Sequence, residues 1–343
     1  MTHGTEVIVV GGGYAGVMAA NRLTRRDDVT VTLVNPRPHF VARIRLHQLV
    51  GGSDEAVVDY REVLSSRVRL VVGTVTRIDA PERRVLLDTG DVLAYDYLVY
   101  AVGSGSDGGG VPGAVEFAHP IATLEEASRL RSVLDDEPRA ARVTVVGGGP
   151  TGIEVAAEFA ELGRSVTLVC GAVLGPDLHP RGQRSVRRRL DALGVVVLDG
   201  PDAIVTAVRS DAVRLGDGRS LSSAVTIWAA GFGVPDLAAS SGLTTDAVGR
   251  LLTDETLTSV DDERIVAAGD AVTASDLPYR MSCQGAVQLG PYAAETVLSR
   301  IAGEEPAPVA LGFVSECISL GRWTRDHTRP RRLRAREDVT AVP

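Results

Sequence analysis

Lysine is absent from the sequence, and all 36 basic side chains of the chain are arginine. We take this as a compositional bias with no function of its own, but it requires that any buried cation be an arginine. The formal net charge of −8 argues against a general nucleic-acid-binding protein, because phosphate backbones attract basic surfaces. A length of 343 residues with 44% apolar side chains is typical of a globular chain of two or three domains.

Cysteine and long apolar runs are also scarce. Cys170, Cys283 and Cys317 are far apart and form neither a C-x-x-C motif nor a metal-type spacing, which argues against a disulfide framework. No apolar run reaches the length of about 18 residues that a membrane-spanning helix needs. The first strand pattern begins near Glu6 and leaves no room for a signal peptide. We therefore expect a cytoplasmic protein.

Glycine, in contrast, is concentrated in two loops of the form G-x-G-x-x-G. Each loop follows a short β-branched run and precedes an alanine-rich helical pattern, EVIVVGGGYAGVMAA at 6–20 and VTVVGGGPTGIEVAAE at 143–158. In a dinucleotide-binding βαβ unit the first glycine permits a tight turn, the second lets a pyrophosphate approach and the third lets the helix pack on the strand. These positions are Gly11, Gly13 and Gly16 in the first loop and Gly147, Gly149 and Gly152 in the second.

The order of elements after each loop is the same. A βαβ unit is followed by a β-meander and then by an apolar strand that ends in glycine, at Gly103 in the first half and at Gly231 in the second. Strand patterns lie at 68–78, 85–87, 96–102 and 257–270, and helical patterns lie at 123–134, 181–193 and 284–301. The pseudo-repeat predicts an α/β fold with two Rossmann-like domains and β-meander excursions.

The stretch at 36–49, PRPHFVARIRLHQL, carries His39, Arg43, Arg45 and His47. We interpret His39 and His47 as surface or capping residues. Arg43 and Arg45 alternate with apolar residues, so we expect one of the two to point inward.

The ordered motifs GGGYAG, YDYLVYAVG, GGGPTGIE, IWAAG and TSVDDERIVAAGD resemble the FAD-dependent pyridine nucleotide-disulfide oxidoreductases, within them the type II NADH dehydrogenase and apoptosis-inducing-factor-like branch. The resemblance covers about 6–301. It implies a discontinuous FAD-binding domain at 1–120 and 245–303, an NAD(P)H-binding domain inserted at 121–244, and a short C-terminal segment at 304–343.

The same resemblance implies two sets of cofactor contacts. For FAD these are Gly11, Gly13, Ala15, Gly16, Asn35, Pro36, Arg43, Val75, Ala101, Gly103, Gly269 and Asp270. For NAD(P)H they are Gly147, Gly149, Pro150, Thr151, Gly152, Glu154, Cys170, Ala230 and Gly231. Asn35 and Cys170 stand where the two fingerprints usually have an acid that binds the ribose. Because Cys170 is no acid and has no arginine directly beside it, the choice between NADH and NADPH stays open.

The resemblance also implies the residues next to the reacting rings. Glu154 matches the glutamate of the family near the flavin and the nicotinamide, and Arg43 and Arg45 are its candidate cations. Gln284 and Gln288 match a glutamine pattern of the type II NADH dehydrogenases, where the helix meets the flavin and the quinone. They are four residues apart and so share one helix face. A solvent-facing glutamate and a solvated glutamine pair are the alternative interpretations.

Two departures from the family narrow the activity. The paired redox cysteines are missing from 36–49, so electrons should leave the flavin directly. The C-terminus is rich in arginine and indicates a disordered or solvated tail, with Arg322, Arg325, Arg329, Arg331, Arg332, Arg334 and Arg336.

The predicted function is an FAD-dependent NAD(P)H oxidoreductase that reduces a quinone or a similar small acceptor. One alternative is a reductase for a ferredoxin or rubredoxin, and another is a non-enzymatic flavin sensor of the apoptosis-inducing-factor kind. We expect at most peripheral contact with the inner face of the cell membrane, through the basic tail. The sequence leaves open whether the protein forms a homodimer.

Overall fold

The computed structural model describes residues 4–275, 279–312, 315–321 and 333–336. Within these ranges the α-helices are α1 (Tyr14–Leu23), α2 (Leu46–Val50), α3 (Tyr60–Val63), α4 (Ala114–Phe117), α5 (Leu124–Asp136), α6 (Pro150–Glu161), α7 (Pro180–Ala192), α8 (Leu237–Ser240) and α9 (Cys283–Ala302). Short 3-10 turns lie at Arg43–Arg45 and Pro201–Ala203.

The strands of the same ranges are mostly three to six residues long. In chain order they are β1 (Thr5–Val10), β2 (Val29–Asn35), β3 (His39–Val41), β4 (Val57–Asp59), β5 (Val68–Val72), β6 (Val75–Asp79), β7 (Arg84–Leu87), β8 (Val92–Ala94), β9 (Tyr97–Tyr100), β10 (Gly105–Ser106), β11 (Ala118–Pro120), β12 (Arg142–Val146), β13 (Ser165–Val169), β14 (Val196–Leu198), β15 (Val205–Val208), β16 (Ala212–Leu215), β17 (Ser220–Ser222), β18 (Val225–Trp228), β19 (Phe232–Gly233), β20 (Leu251–Thr253), β21 (Ile265–Ala267), β22 (Val272–Ala274), β23 (Ser315–Ile318) and β24 (Leu333–Arg336).

The chain divides into two compact units. The first unit comprises Met1–Val41, Val57–Gly105 and Phe232–Phe313, and the second comprises Ala42–Ala56, Ser106–Gly231 and Val314–Pro343. The main connections between the two units therefore follow residues 105 and 231. The sequence predicted these boundaries after residues 120 and 244. Residues 42–56 join the second unit because α2 packs against α5 and α6, a long-range contact that no local pattern indicates.

A parallel sheet forms the centre of the first unit. Its strand order is β21-β9-β1-β2-β5, and all neighbouring pairs run parallel. The residues of β1 from Val7 to Val10 are at most 4% exposed, as expected for a strand covered on both faces. The strand predicted at 68–78 is divided at Gly73 into β5 of this sheet and β6 of the antiparallel meander β6-β7-β8. Of the strand predicted at 257–270, Ile265–Ala267 joins the sheet as β21.

The second unit repeats this architecture. Its parallel sheet has the order β11-β18-β12-β13-β14, and its antiparallel meander is β15-β16-β17. In both sheets the strand before the glycine loop lies between the next strand of its βαβ unit and the strand that follows the meander. The α/β fold class and the pseudo-repeat predicted from the sequence are confirmed.

Part of the C-terminal segment forms a pair of strands. Strand β23 pairs antiparallel with β24, which carries Arg334 and Arg336 of the predicted disordered tail. Ile318 and Leu320 are 8% and 5% exposed, because apolar side chains here pack instead of remaining solvated. The tail residues Arg322, Arg325, Arg329, Arg331 and Arg332 lie outside the described residues. Among the described helices, none combines the length and the apolar character that crossing a bilayer requires.

Candidate functional site

The first glycine loop joins β1 to α1 at the carboxyl edge of its sheet. Gly11 has φ +103°, and a Cβ there would lie 2.3 Å from the carbonyl oxygen of Ala101. A Cβ on Gly16 would lie 1.8 Å from the carbonyl oxygen of Gly11, whereas a Cβ on Gly13 would meet no atom within 4 Å. The outer two glycines are therefore needed for backbone packing, and the middle one faces open space. A pyrophosphate at a helix N-terminus fits this cradle.

Asn35 at the end of β2 is 8% exposed and uses both ends of its amide within the protein. Its Oδ1 accepts from the Gly12 amide at 2.9 Å, and its Nδ2 donates to the carbonyl oxygen of Arg37 at 2.9 Å. An ionised aspartate could accept the first bond but could not donate the second. The side chain therefore shapes the glycine loop, and a ribose contact from Asn35 would have to use a remaining lone pair of Oδ1.

Tyr60 supports the same loop, and the sequence did not indicate it. Its hydroxyl donates to the carbonyl oxygen of Gly12 at 2.8 Å, and a Cβ on Gly12 would lie 2.0 Å from that hydroxyl. Burial raises the pKa of the Tyr60 phenol, so it remains a protonated donor at any physiological pH. Tyr60 lies about fifty residues from the loop and carries no local motif that would reveal this role.

The ends of β9 and β21 bring the other expected FAD residues of this unit to the same sheet edge. Ala101 donates its amide to Val10 at 2.8 Å, and a Cβ on Gly269 would lie 3.1 Å from the Cβ of Ala15. Beyond them, the Ser104 hydroxyl donates to Oδ2 of Asp270 at 2.6 Å. Gly103, between Ala101 and Ser104, turns with φ +71°. The structure thus gathers Ala15, Ala101, Gly269 and Asp270 around one loop.

The remaining expected residues of the first unit are placed as follows. Gly73 donates its amide to the carbonyl oxygen of Asn35 at 3.0 Å, which brings the turn before Val75 to the end of β2 beside the exposed Pro36. In α9, Nε2 of Gln288 donates to the carbonyl oxygen of Gln284 at 3.1 Å. Both glutamines are half-buried in the first two turns of that helix.

The second glycine loop reproduces the first in detail. Gly147 has φ +131°, and a Cβ there would lie 2.5 Å from the carbonyl oxygen of Ala229. A Cβ on Gly152 would lie 1.9 Å from the carbonyl oxygen of Gly147, and a Cβ on Gly149 would meet no atom within 4 Å. Pro150 and Thr151 begin α6 directly after the loop. The second loop is therefore open at its middle glycine like the first, and the pyrophosphate of a second dinucleotide fits there.

A cavity of about 270 Å³ opens beside this loop at the carboxyl edge of the second sheet. The ends of β12, β13 and β18 line it, with Gly147, Cys170, Trp228, Ala230 and Gly231 among its walls. The Trp228 indole donates to the carbonyl oxygen of Asp107 at 2.8 Å, which fixes this wall. All five lie at the end of a strand or within three residues after it, as expected for a nucleotide site of a parallel sheet.

Cys170 lines this cavity as an unreactive thiol. Burial raises its pKa to about 12, so about one molecule in 10⁴ carries a thiolate at pH 8. We expect iodoacetamide at pH 8 to alkylate the exposed Cys317 at least about a hundredfold faster than Cys170, measured by peptide mass spectrometry. Alkylation in urea serves as the control, because unfolding should make both thiols react alike. Equal rates in the folded protein would contradict the raised pKa of the half-buried Cys170.

Glu154 begins the second turn of α6 and faces a histidine that the sequence did not indicate as its partner. Its Oε2 lies 3.6 Å from Nδ1 of His47, and its Oε1 accepts from the Ser319 amide at 2.9 Å. His47 is 4% exposed, so its interpretation as a surface or capping residue is wrong.

The two arginines expected beside Glu154 have other recorded contacts in the second unit. The half-buried Arg43 donates from Nε to the carbonyl oxygen of Ala122 at 3.1 Å, which fits the expectation that one of them points inward. The exposed Arg45 pairs with Asp54 at 2.7 Å. Helix α2 packs against α6 through Leu46–Val50, and this packing selects His47 as the residue facing Glu154.

Comparison with known proteins agrees with this geometry. The sequence profile of the pyridine nucleotide-disulphide oxidoreductases matches residues 5–294. An NADH dehydrogenase-like protein of Mycobacterium tuberculosis is 30% identical over 92% of this chain and 86% of its own length. The type II NADH:quinone oxidoreductase Ndh of the same organism is 30% identical over 88% of this chain and 74% of its own.

Among solved structures, NDH2 from Plasmodium falciparum in complex with NADH superposes with a TM-score of 0.79. At 17% identity, with 92% of this chain and 88% of that chain covered, the likeness establishes the fold. The profile match spans both glycine loops, and proteins of this kind use FAD and NADH. The chain therefore belongs to the pyridine nucleotide-disulphide oxidoreductase family and is an NAD(P)H-dependent flavin oxidoreductase.

Proposed function

We propose that the chain transfers the electrons of NADH or NADPH to a quinone or a similar small acceptor. The observation that carries this proposal is the distribution of cysteine. The chain has three cysteines at 170, 283 and 317, and none in 36–49, where the resemblance would require a redox pair. Electrons accordingly leave the flavin without a disulfide relay. The likeness to the type II NADH:quinone oxidoreductase of Mycobacterium tuberculosis supports a quinone.

We assign FAD to the first unit. Gly11, Gly13, Ala15 and Gly16 would hold the pyrophosphate, since the loop is open at the middle glycine. The adenosine end would contact Asn35, Pro36 and Val75, and the flavin end Ala101, Gly103, Gly269 and Asp270. When bound, FAD supplies a ring that accepts a hydride. The protein supplies orientation and electrostatics.

We assign the nicotinamide nucleotide to the second unit. Gly147, Gly149, Pro150, Thr151 and Gly152 would bind its phosphates through the start of α6. The adenosine end would enter the cavity lined by Cys170, Ala230 and Gly231. Cys170 is a neutral thiol that offers no charge to a 2′-phosphate and no acid to a ribose.

Glu154, Arg43, Gln284 and Gln288 are the residues we assign to the reaction itself. Glu154 follows the second glycine loop by two residues, so its carboxylate would lie towards the nicotinamide end of the nucleotide. The glutamines would offer amide donors and acceptors to the electron acceptor, because side-chain amides do both. Arg43 would supply a permanent positive charge to the flavin end.

An acceptor panel tests the proposed acceptor. The purified yellow protein is reduced with NADH and then mixed with a short-chain quinone or with a small ferredoxin. We expect turnover with the quinone to exceed turnover with the ferredoxin at least about tenfold, because a small ligand needs no protein-docking surface. Faster turnover with the ferredoxin would favour a protein partner and contradict this part of the proposal.

A further inference from the structure

The Glu154 carboxylate is held by two different segments of the second unit. The Ser319 amide fixes Oε1 from the C-terminal segment, and the imidazole of His47 faces Oε2 from α2. The side chain of Glu154 keeps 16% of its surface exposed, whereas that of His47 keeps 4%. A carboxylate offers about four lone-pair sites, so it can accept from more than one donor at a time.

We propose that His47 is a positioning residue whose protonation fixes the Glu154 carboxylate for the reaction with the nicotinamide nucleotide. The inference rests on the proposed function, because that function assigns Glu154 to the nicotinamide end. His47 itself is too deeply buried to serve as a ligand contact and acts through Glu154. The bound nucleotide would contact the exposed side of the carboxylate.

The distance between the two side chains makes this positioning sensitive to charge. At 3.6 Å an imidazolium and a carboxylate attract each other strongly in a partly buried setting, whereas a neutral imidazole does so weakly. Histidine is also the side chain that changes charge near neutral pH. The orientation of Glu154 therefore depends on pH through His47.

Other charged groups lie on the elements that pack against α2. Helix α2 packs against α5, α6 and the 3-10 turn before it. The neighbouring charged side chains have recorded partners of their own: Arg43 with the carbonyl of Ala122, Arg45 with Asp54, Arg131 with Glu55, and Glu158 with Ser53. Glu154 is the acid that the structure records at ion-pair distance from the imidazole of His47.

The sign of the pH effect follows from the pair. The ion pair requires a protonated His47, so it is present below the titration midpoint of His47 and is lost as the pH rises through it. We expect the rate of flavin reduction by NADH to fall about three- to tenfold across that step. At acid pH, protonation of Glu154 itself also breaks the ion pair, so the fast rate is confined to the pH range in which Glu154 is ionised and His47 is protonated.

The kinetic test compares two glutamine variants at matched pH values. His47→Gln keeps a side-chain donor but cannot titrate, so its rate should lack the step and remain near the high-pH plateau of the parent protein. His119→Gln is the control, because His119 is a half-buried histidine of the same unit in β11 without an assigned role. An unchanged step in His47→Gln would overturn the proposal.

A second test needs no activity. The ring resonances of His47 are titrated by NMR in the parent protein and in Glu154→Gln. Removing the carboxylate should lower the titration midpoint of His47 by about one pH unit. An unmoved midpoint would overturn the pairing even in an active enzyme. A moved midpoint in a protein that NADH does not reduce would instead refute the proposed function and leave the pair intact.

Discussion

Replacing Gly149 by alanine should raise the KM for NADH at least about tenfold, which corresponds to about 1.4 kcal/mol of binding free energy. A Cβ at this position meets no protein atom within 4 Å, so the fold has room for it. The added methyl group instead occupies the space through which a pyrophosphate would approach the start of α6. Steady-state kinetics with NADH measure the effect.

The Gly149→Ala variant should keep its FAD and its thermal stability, because the change lies in the second unit and clashes with no backbone. Gly182→Ala is the matched control. Gly182 lies within α7 of the same unit, where a Cβ would come no closer than 3.6 Å to Leu178. This control should leave KM unchanged. An unchanged KM in Gly149→Ala would contradict the assignment of the nucleotide to this loop.

Replacing Gly16 by alanine should destabilise the fold more than replacing Gly149 by alanine. A Cβ at this position would lie 1.8 Å from the carbonyl oxygen of Gly11, so α1 would have to move away from β1. Backbone atoms cannot yield as a flexible side chain can, and we expect a loss of about 3 kcal/mol or more in the free energy of unfolding. The variant should be purified largely without FAD. The flavin-to-protein absorbance ratio and denaturant unfolding measure the two effects.

Gly13→Ala separates loss of FAD from loss of folding. A Cβ on Gly13 meets no protein atom within 4 Å, so the variant should lose FAD without a clash in the fold. Its free energy of unfolding should equal that of the parent protein from which FAD has been removed. A Gly16→Ala protein with full FAD content would contradict the close packing of the first loop. A Gly13→Ala protein with full FAD content would contradict the assignment of FAD to that loop.

The glycine loops could be predicted from the sequence because their geometry is local. A strand, a tight turn and a helix that follow one another require glycine at two positions five residues apart. These positions are Gly11 and Gly16 in the first loop and Gly147 and Gly152 in the second. The repetition of the same element order made the two sheets predictable as well. Local spacing and repetition therefore sufficed for the α/β fold and for the family.

The surroundings of Glu154 could not be predicted in the same way. His47 lies in a stretch of alternating basic and apolar residues, and it is buried where α2 packs against α5 and α6, about eighty and a hundred positions away. The Ser319 amide lies 165 positions from Glu154. Such contacts depend on long-range packing, for which a single sequence carries no periodic pattern.

Asn35 shows the same limit on a smaller scale. The sequence indicated a weaker replacement for an acid that binds a ribose. The structure shows a side-chain amide that accepts from the Gly12 amide and donates to the carbonyl oxygen of Arg37. Asn35 therefore holds the glycine loop in addition to any contact with a ligand. Which of its two atoms faces which backbone group depends on the turn after β2, whose course the motif does not specify.

Anaerobic mixing of the purified yellow protein with NADH, followed by a quinone, tests the central claim most directly. We expect a stoichiometric amount of NADH or NADPH to bleach the visible flavin absorbance, and the quinone then to restore it without any added thiol or disulfide. A yellow protein that neither nucleotide bleaches would contradict the account.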